Sequence, residues 1–275
     1  MGRAGRRPPA SRERAWQMRH DQSLFARKLN SFVQLSDREL DRLARLESAQ
    51  IRVARGRELV HEGEPGHVAH IIHAGWACSF KNLPDGGRQV IAFPVPGDCV
   101  GLRSMLLRTS DHSFAALTDA TVSRVDAANV KEIFTEYPRL GAAILWATSR
   151  DEAMVVEHLV SVGRRSALGR MAHFFLELYD RLHLVGLASG DSFMCPLSQN
   201  VLADALGLST IHVNRVLHQL RERGLLTFKG RNVTIQNASA LKEIAGYENP
   251  DDGAVVTGDR WPDPGGPPVG VLRDL

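Results

Sequence analysis

Three side chains between residues 211 and 215 have the chemistry to read a DNA duplex. Arg215 offers a two-pronged donor to guanine. Asn214 can pair bidentately with adenine, and Ile211 can meet a thymine methyl group. If the segment is helical, Thr210, Ile211, Asn214, Arg215 and His218 face away from an apolar stripe of Val213, Val216, Leu217 and Leu220. The hydroxyls of Ser198, Ser209 and Thr210, together with helix N-termini, suit phosphate oxygens.

The surrounding residues supply the elements that would hold such a reader. Ser198 is a good N-cap for a short helix with Val201, Leu202 and Ala205 on its apolar face. Gly207 falls where a helix-to-helix turn needs a left-handed residue. Ser209 caps a second helix, and Gly224 stops it. Leu225 to Ile235 then reads as a two-stranded hairpin turning at Lys229-Gly230-Arg231, a wing with a basic tip. A helical hairpin in any core could explain the two helices alone. The capped pair and basic wing in series predict a winged helix-turn-helix.

Other chemistry is thinly represented. His61, His67, His70 and His73 cluster, but on a strand 67 and 73 share one face while 70 takes the other. They read as exposed strand histidines rather than metal ligands. Cys78, Cys99 and Cys195 lack the number and spacing of a disulfide framework, a zinc finger or an iron–sulfur site. Cys78 and Cys99 read as small buried hydrophobes. No P-loop, nucleophile elbow or metal-protease motif occurs, so no enzyme, metal or cofactor is expected.

The chain of 275 residues allows one large domain or two modest ones. Residues 1–20 carry six Arg and no apolar period and read as a disordered basic segment, with Met18 an alternative start. Residues 21–137 hold 16 basic and 18 acidic side chains together with the helix that follows to 163. Ser36 to Glu39 forms a capping box ahead of Leu40, Leu43, Ala44 and Leu46. Short apolar runs at 51–53, 59–60, 68–72, 76–80, 90–95 and 122–125, split by turn residues, predict an all-β barrel or roll. Residues 138–163 contain no Pro after Pro138, and Leu140, Ala143, Ile144, Ala147, Met154, Val155, His158, Leu159 and Val162 recur at helical spacing. A helix of that length joining two domains is a natural dimer seam, for which Ile144, Ala147, Met154, Val155, His158 and Val162 are the candidates; packing on its own β domain alone is the plainer alternative. Residues 164–247 are basic, with ten cationic and six acidic side chains. The acidic end, 248–275, has five Pro and five Gly and reads as a disordered tail. No run of about 18 apolar residues could cross a bilayer. A cytoplasmic location and no membrane partner follow as the expectation.

A roll carrying Glu62-Gly63-Glu64 and Pro96-Gly97-Asp98, a long helix and a winged helix-turn-helix resemble the cyclic-AMP receptor protein/FNR superfamily of bacterial transcription regulators. The resemblance covers about residues 25–245 and is most specific from Leu202 to Leu226. It implies an α+β chain with an N-terminal cyclic-nucleotide-binding-like jelly roll, a long dimerisation helix and a C-terminal winged helix-turn-helix. It implies a homodimer on palindromic double-stranded DNA, with RNA polymerase as a further partner. Arg215 takes the family's base-reading position, with Asn214 and Ile211 beside it. Ser198, Gln199, Ser209 and His212 match phosphate-contacting positions, and Lys229 matches the wing-tip contact. The best-known members have glutamate at Ile211, so their operator is not expected here.

The resemblance also places a degenerate effector pocket. Leu102 stands where cyclic-AMP binders have a ribose-binding glutamate, and His112-Ser113 where they have Arg-Ser. Val155 and Val156 take the adenine-contacting positions. Arg103 lies one residue along and could meet a phosphate. Residues 1–50 contain no Cys, so the iron–sulfur sensing mode is excluded. The expected function is a sequence-specific DNA-binding regulator that does not respond to cyclic AMP. The alternative is a sensor whose roll binds an unidentified small molecule, with DNA binding secondary.

Overall fold

The computed structural model describes residues 23–65, 68–107 and 109–248. The basic N-terminal segment with Met18, His67, and the acidic tail after Glu248 lie outside the described residues. Two short helices open the described chain, α1 (Leu24–Asn30) and α2 (Asp37–Leu46). Ser23 caps α1 by accepting from the Ala26 N–H at 3.1 Å. Glu39 reaches back to the Ser36 N–H at 2.7 Å, as a capping box requires.

Eight strands follow: β1 (Gln50–Val53), β2 (Glu58–Val60), β3 (Val68–Ala74), β4 (Ala77–Asn82), β5 (Arg88–Ala92), β6 (Cys99–Val100), β7 (Ser113–Ala116) and β8 (Ala120–Asp126). They form two antiparallel four-stranded sheets, β1-β8-β3-β6 and β2-β7-β4-β5. Val53, Val60, Ile72, Val100, Phe114 and Val122 fill the space between them. Residues of opposite parity, Ala69, Ile71 and Val125, point outward and pack under the helices. Gly75 turns β3 into β4 at φ +79°, and a Cβ there would stand 2.3 Å from the Asp119 carbonyl oxygen. Only glycine fits that approach. The apolar run at 90–95 is a strand only to Ala92, and β6 and β7 had no apolar signature of their own.

A one-turn helix, α3 (Leu102–Leu106), interrupts the roll, and α4 (Ala127–Glu136) follows it. The long helix α5 spans Pro138–Arg164, close to the expected bounds. At 27 residues it is about 40 Å long. Its first half is buried against the roll through Leu140, Ala143, Ile144 and Ala147. Ile144 and Ala147 thus face this chain's own core, which corrects their placement on a free seam.

After a break at Arg165, Ser166 caps α6 (Ala167–Leu184). This helix is buried nearly all round and forms the hub of the molecule. Met171, Phe174, Phe175, Leu178 and Leu182 join Trp76, Phe80, Val90, Phe93 and Val95 of the roll in one continuous core. The two domains joined by the long helix share an interior. The chain then forms β9 (Ala188–Ser189), β10 (Ser192–Met194), α7 (Gln199–Leu206), α8 (Thr210–Glu222), β11 (Leu226–Lys229), β12 (Asn232–Ile235) and α9 (Ala238–Ala245). The predicted hairpin is therefore part of a four-stranded sheet, β11-β12-β10-β9. Among the described residues no helix is long and apolar enough to cross a membrane.

Candidate nucleic-acid interface

Helices α7 and α8 form the predicted pair, joined at Gly207 in the left-handed region (φ 60°, ψ 41°). The Ser198 hydroxyl accepts from the Val201 N–H at 3.3 Å, and the Ser209 hydroxyl from the His212 N–H at 3.2 Å. Each hydroxyl keeps its own hydrogen free to donate outward. Both helix N-termini, with their partial positive charge, are exposed at these caps.

Val213, Val216 and Leu220 bury one face of α8, with Leu217 half-buried beside them. On α7 the buried residues are Leu202, Ala203 and Leu206, while Val201 and Ala205 are only half-covered. The opposite face of α8 is open. Ile211 is 74% exposed, and Asn214, Arg215 and His218 are exposed too. Among the described residues, the Asn214 and Arg215 side chains have no hydrogen bond or ion pair. His218 Nδ1 lies 3.1 Å from Glu222 one turn on.

Thr210 departs from expectation. It is half-buried, and its hydroxyl donates to Asn200 Oδ1 at 3.0 Å, tying the start of α8 to α7. Asn200 was not singled out from sequence, since an amide at the second position of a helix carries no local signal. Gln199 and His212 are half-buried at the two helix starts. Lys229 is exposed at the wing, paired with Asn232 across a two-residue turn of Gly230 (φ 58°) and Arg231 (φ 65°). Two consecutive positive φ angles give the tight hairpin turn whose twist matches its strands. Arg231 is exposed beside Lys229 and completes the basic tip.

The rest of the chain grips this unit from behind. Arg88 on β5 meets Asp204 on α7 at 2.8 Å. Gln89 Nε2 lies 3.2 and 3.4 Å from the carbonyls of Asp204 and Ala205. Arg170 on α6 donates to the Leu206 carbonyl and, at 2.8 Å, to the Val162 carbonyl at the end of α5.

Two of the effector-pocket residues, Arg103 and His112, meet at a carboxylate. Asp111 accepts from Arg103 and lies 2.7 Å from His112 Nδ1. Burial works to raise the Asp111 carboxyl, but His112 and Arg103 outweigh it and hold it below its ordinary range. Ser113 is fully buried and accepts from the Glu62 N–H at 3.0 Å. Leu102 is half-buried, while Val155 and Val156 are exposed on α5.

The clustered histidines divide differently from expectation, while Cys78 is buried and Cys99 half-buried. His70 is buried rather than exposed, because its side chain turns into the roll, and among the described residues its Nδ1 has no partner. Burial, with Arg124 nearby, lowers its pKa. His73 is half-buried against Ser123 Oγ at 2.7 Å, and of the three described members of the cluster only His61 is exposed. Burial pushes the thiols of Cys78, Cys99 and Cys195 up to about 11, 12 and 12. Among the described residues no group of three or more His, Cys, Asp or Glu could hold a metal ion.

Residues 50–137 match the cyclic nucleotide-binding domain, and residues 169–244 match the Crp-like helix-turn-helix domain. The chain is 30% identical over 192 residues to the nitrogen fixation regulation protein FixK of Rhizobium meliloti (strain 1021), across 69% of this chain and 83% of that protein. It is 26% identical over 215 residues to the fumarate and nitrate reduction regulatory protein of Vibrio cholerae, across 77% and 84%. The solved structure of FixK2 from Bradyrhizobium japonicum has a TM-score of 0.65 at 27% identity, covering 73% of this chain and 98% of that one. These relatives are regulators and not enzymes. The chain belongs to the Crp/Fnr superfamily of DNA-binding transcription regulators.

Proposed function

We propose that this regulator works as a homodimer that reads two half-sites of a palindromic operator. The observation that carries the reading is the open face of α8. Ile211, Asn214 and Arg215 point outward, and among the described residues Asn214 and Arg215 have no partner. Arg215 takes guanine, Asn214 adenine and Ile211 a thymine methyl, with His218 at the end of the same face. Ser198, Gln199, Ser209 and His212 hold phosphates at the helix N-termini, and Lys229 with Arg231 holds the backbone from the wing. Thr210 steadies α8 through Asn200 rather than meeting DNA directly.

The second half of α5 supports dimerisation. Val155, Val156, Leu159, Val160 and Val162 are all exposed there, and Leu145 is exposed in the first half. Val155, Leu159 and Val162 recur at four and three, as residues of a helix-to-helix seam do. Of the candidates read from sequence, Val155 and Val162 lie on this open stretch and Met154 at its margin. His158 is taken up inside the chain. The β-roll (21–137), seam helix (138–163) and reader (164–247) then act as one body, and RNA polymerase contact belongs to the same reading.

The effector pocket does not suit cyclic AMP. Leu102 cannot accept from ribose hydroxyls. Arg103 and His112, the basic side chains of the candidate pocket, already share Asp111. Val155 and Val156 offer adenine no hydrogen bond. Micromolar binding in a calorimetric titration would overturn this part. The test of the whole is selection of bound fragments from random duplex DNA by the purified full chain. A two-fold symmetric motif is expected; equal, salt-sensitive affinity for every sequence would refute it.

A further inference from the structure

His158 stands where three elements meet. It projects from α5, with Nδ1 2.9 Å from the Ile91 carbonyl oxygen on β5 and Nε2 2.8 Å from Glu177 Oε2 on α6. A carbonyl and a carboxylate can only accept. A neutral imidazole has a single N–H, so it can satisfy one of these oxygens while turning a lone pair on the other. Both contacts are attractive together only when both ring nitrogens carry hydrogen.

The neighbours agree with a charged ring. From α6, Glu177 is buried, and its second oxygen lies 3.6 Å from Arg181 Nη1. Arg181 also meets Asp98 at 2.6 Å, Asp98 meets Lys28 at 2.8 Å, and Lys28 meets Asp151 at 3.3 Å. The charges alternate along this row from α6 through the roll to α1 and back to α5. Three cations balance three carboxylates only while His158 keeps its proton. His173, also on α6, faces Glu157 of α5 at 3.3 Å, and Glu157 is bonded to Arg165. From β5 the Ile91 carbonyl faces the ring, while Val90, Arg170, Ala205 and Leu206 line the cavity beside it. Burial alone would lower the His158 pKa, but Glu177 and the Ile91 carbonyl outweigh it and raise it. Burial is the larger influence on His173, whose pKa is lowered.

We propose that protonated His158 is a pin between the roll and the DNA-binding half, and that losing its proton loosens their junction. Deprotonation must break one of the two bonds, so the grip on α6 or on β5 weakens. β5 also carries Arg88 and Gln89, which hold α7. The state of one imidazole thus bears on how firmly the reading unit is seated. This inference does not depend on which DNA sequence is read.

The test uses the full-length protein and two readouts between about pH 6 and pH 8.5, the range in which an imidazole titrates. Nitrogen chemical shifts of the His158 ring report its protonation. Amide exchange over residues 88–94 and 174–184, corrected for intrinsic rates, reports the junction. At the acid end both ring nitrogens should be protonated, and protection should fall several-fold as the ring titrates. In Glu177→Gln the new amide donates to the Nε2 lone pair while its carbonyl faces Arg181. Both contacts then survive on a neutral ring, and the pH dependence of protection should vanish. A single-tautomer neutral ring at the acid end overturns the proposal, and this measurement needs no variant. So does an unchanged pH dependence in Glu177→Gln.

Discussion

The Phe93 ring of the roll stands edge-on to Phe174 of α6, with centroids 5.7 Å apart at 75°. That contact crosses from the roll into the helix that carries the reader. Phe174 is itself stacked edge-on against Phe175, which continues to Phe228 of the wing. Removing a buried phenyl ring costs about 3–5 kcal/mol. Phe174→Ala is therefore expected to lower the stability of both halves by that order, in a single transition. Chemical denaturation followed by probes in the roll and in the wing would check this. Two separated transitions in the unmodified protein would contradict a shared interior.

Arg215 is the side chain on which recognition should depend most. A bidentate arginine–guanine contact contributes about 1–3 kcal/mol of discrimination. Arg215→Ala should weaken the selected operator roughly tenfold or more and leave affinity for unrelated duplex nearly unchanged. Its exposed position predicts no change in thermal stability. Fluorescence anisotropy on matched and scrambled sites separates these effects.

Leu159 is 73% exposed near the middle of the apolar stretch of α5. A glutamate there would place a charge in the seam. Leu159→Glu should sediment with the mass of one chain and lose operator affinity by about a hundredfold or more, since two linked half-sites bind far more tightly than one. A dimer that survives the substitution would move the seam elsewhere.

Glu47, at the C-terminal end of α2, is buried and accepts from the Ser23 hydroxyl at 2.7 Å. Burial pushes its carboxyl up to about 7, with the Ser23 bond acting the other way. The folded state thus holds this proton more tightly than the unfolded chain does. Its contribution is full below the ordinary carboxylate value of 4.5 and is lost as pH rises through about 7. The loss is on the order of 3 kcal/mol. Glu47→Gln keeps the hydroxyl partner without the charge. Urea unfolding between pH 5 and pH 8 should show a decline in the unmodified protein and a flatter profile in the variant.

Local signals made the reader legible. Ser198, Gly207, Ser209 and Gly224 each dictate backbone geometry within a few residues, so α7, α8 and their turn could be placed from sequence alone. The long helix was legible because no Pro or Gly pair breaks it. Periodicity could not say which side of that helix meets its own chain. Ile144, Ala147 and His158 have the same spacing as a seam, yet the roll and α6 cover them. Strands β6 and β7 are two and four residues long, and Ser113 and Ala115 leave no alternating signature. The shared interior was invisible because Phe93 and Phe174 lie far apart in sequence, and nothing local announces their meeting. The same holds for Thr210, whose outward hydroxyl finds Asn200 only once α7 and α8 have packed.

The last carbonyls of α7 are capped from outside the helix-turn-helix, at Asp204 and Ala205 by Gln89 and at Leu206 by Arg170. A helix that ends on borrowed donors cannot be lifted out as an interchangeable cartridge. Transplanting this reader onto another regulator's body would strip two of those carbonyls, and a successful graft would have to bring strand β5 along.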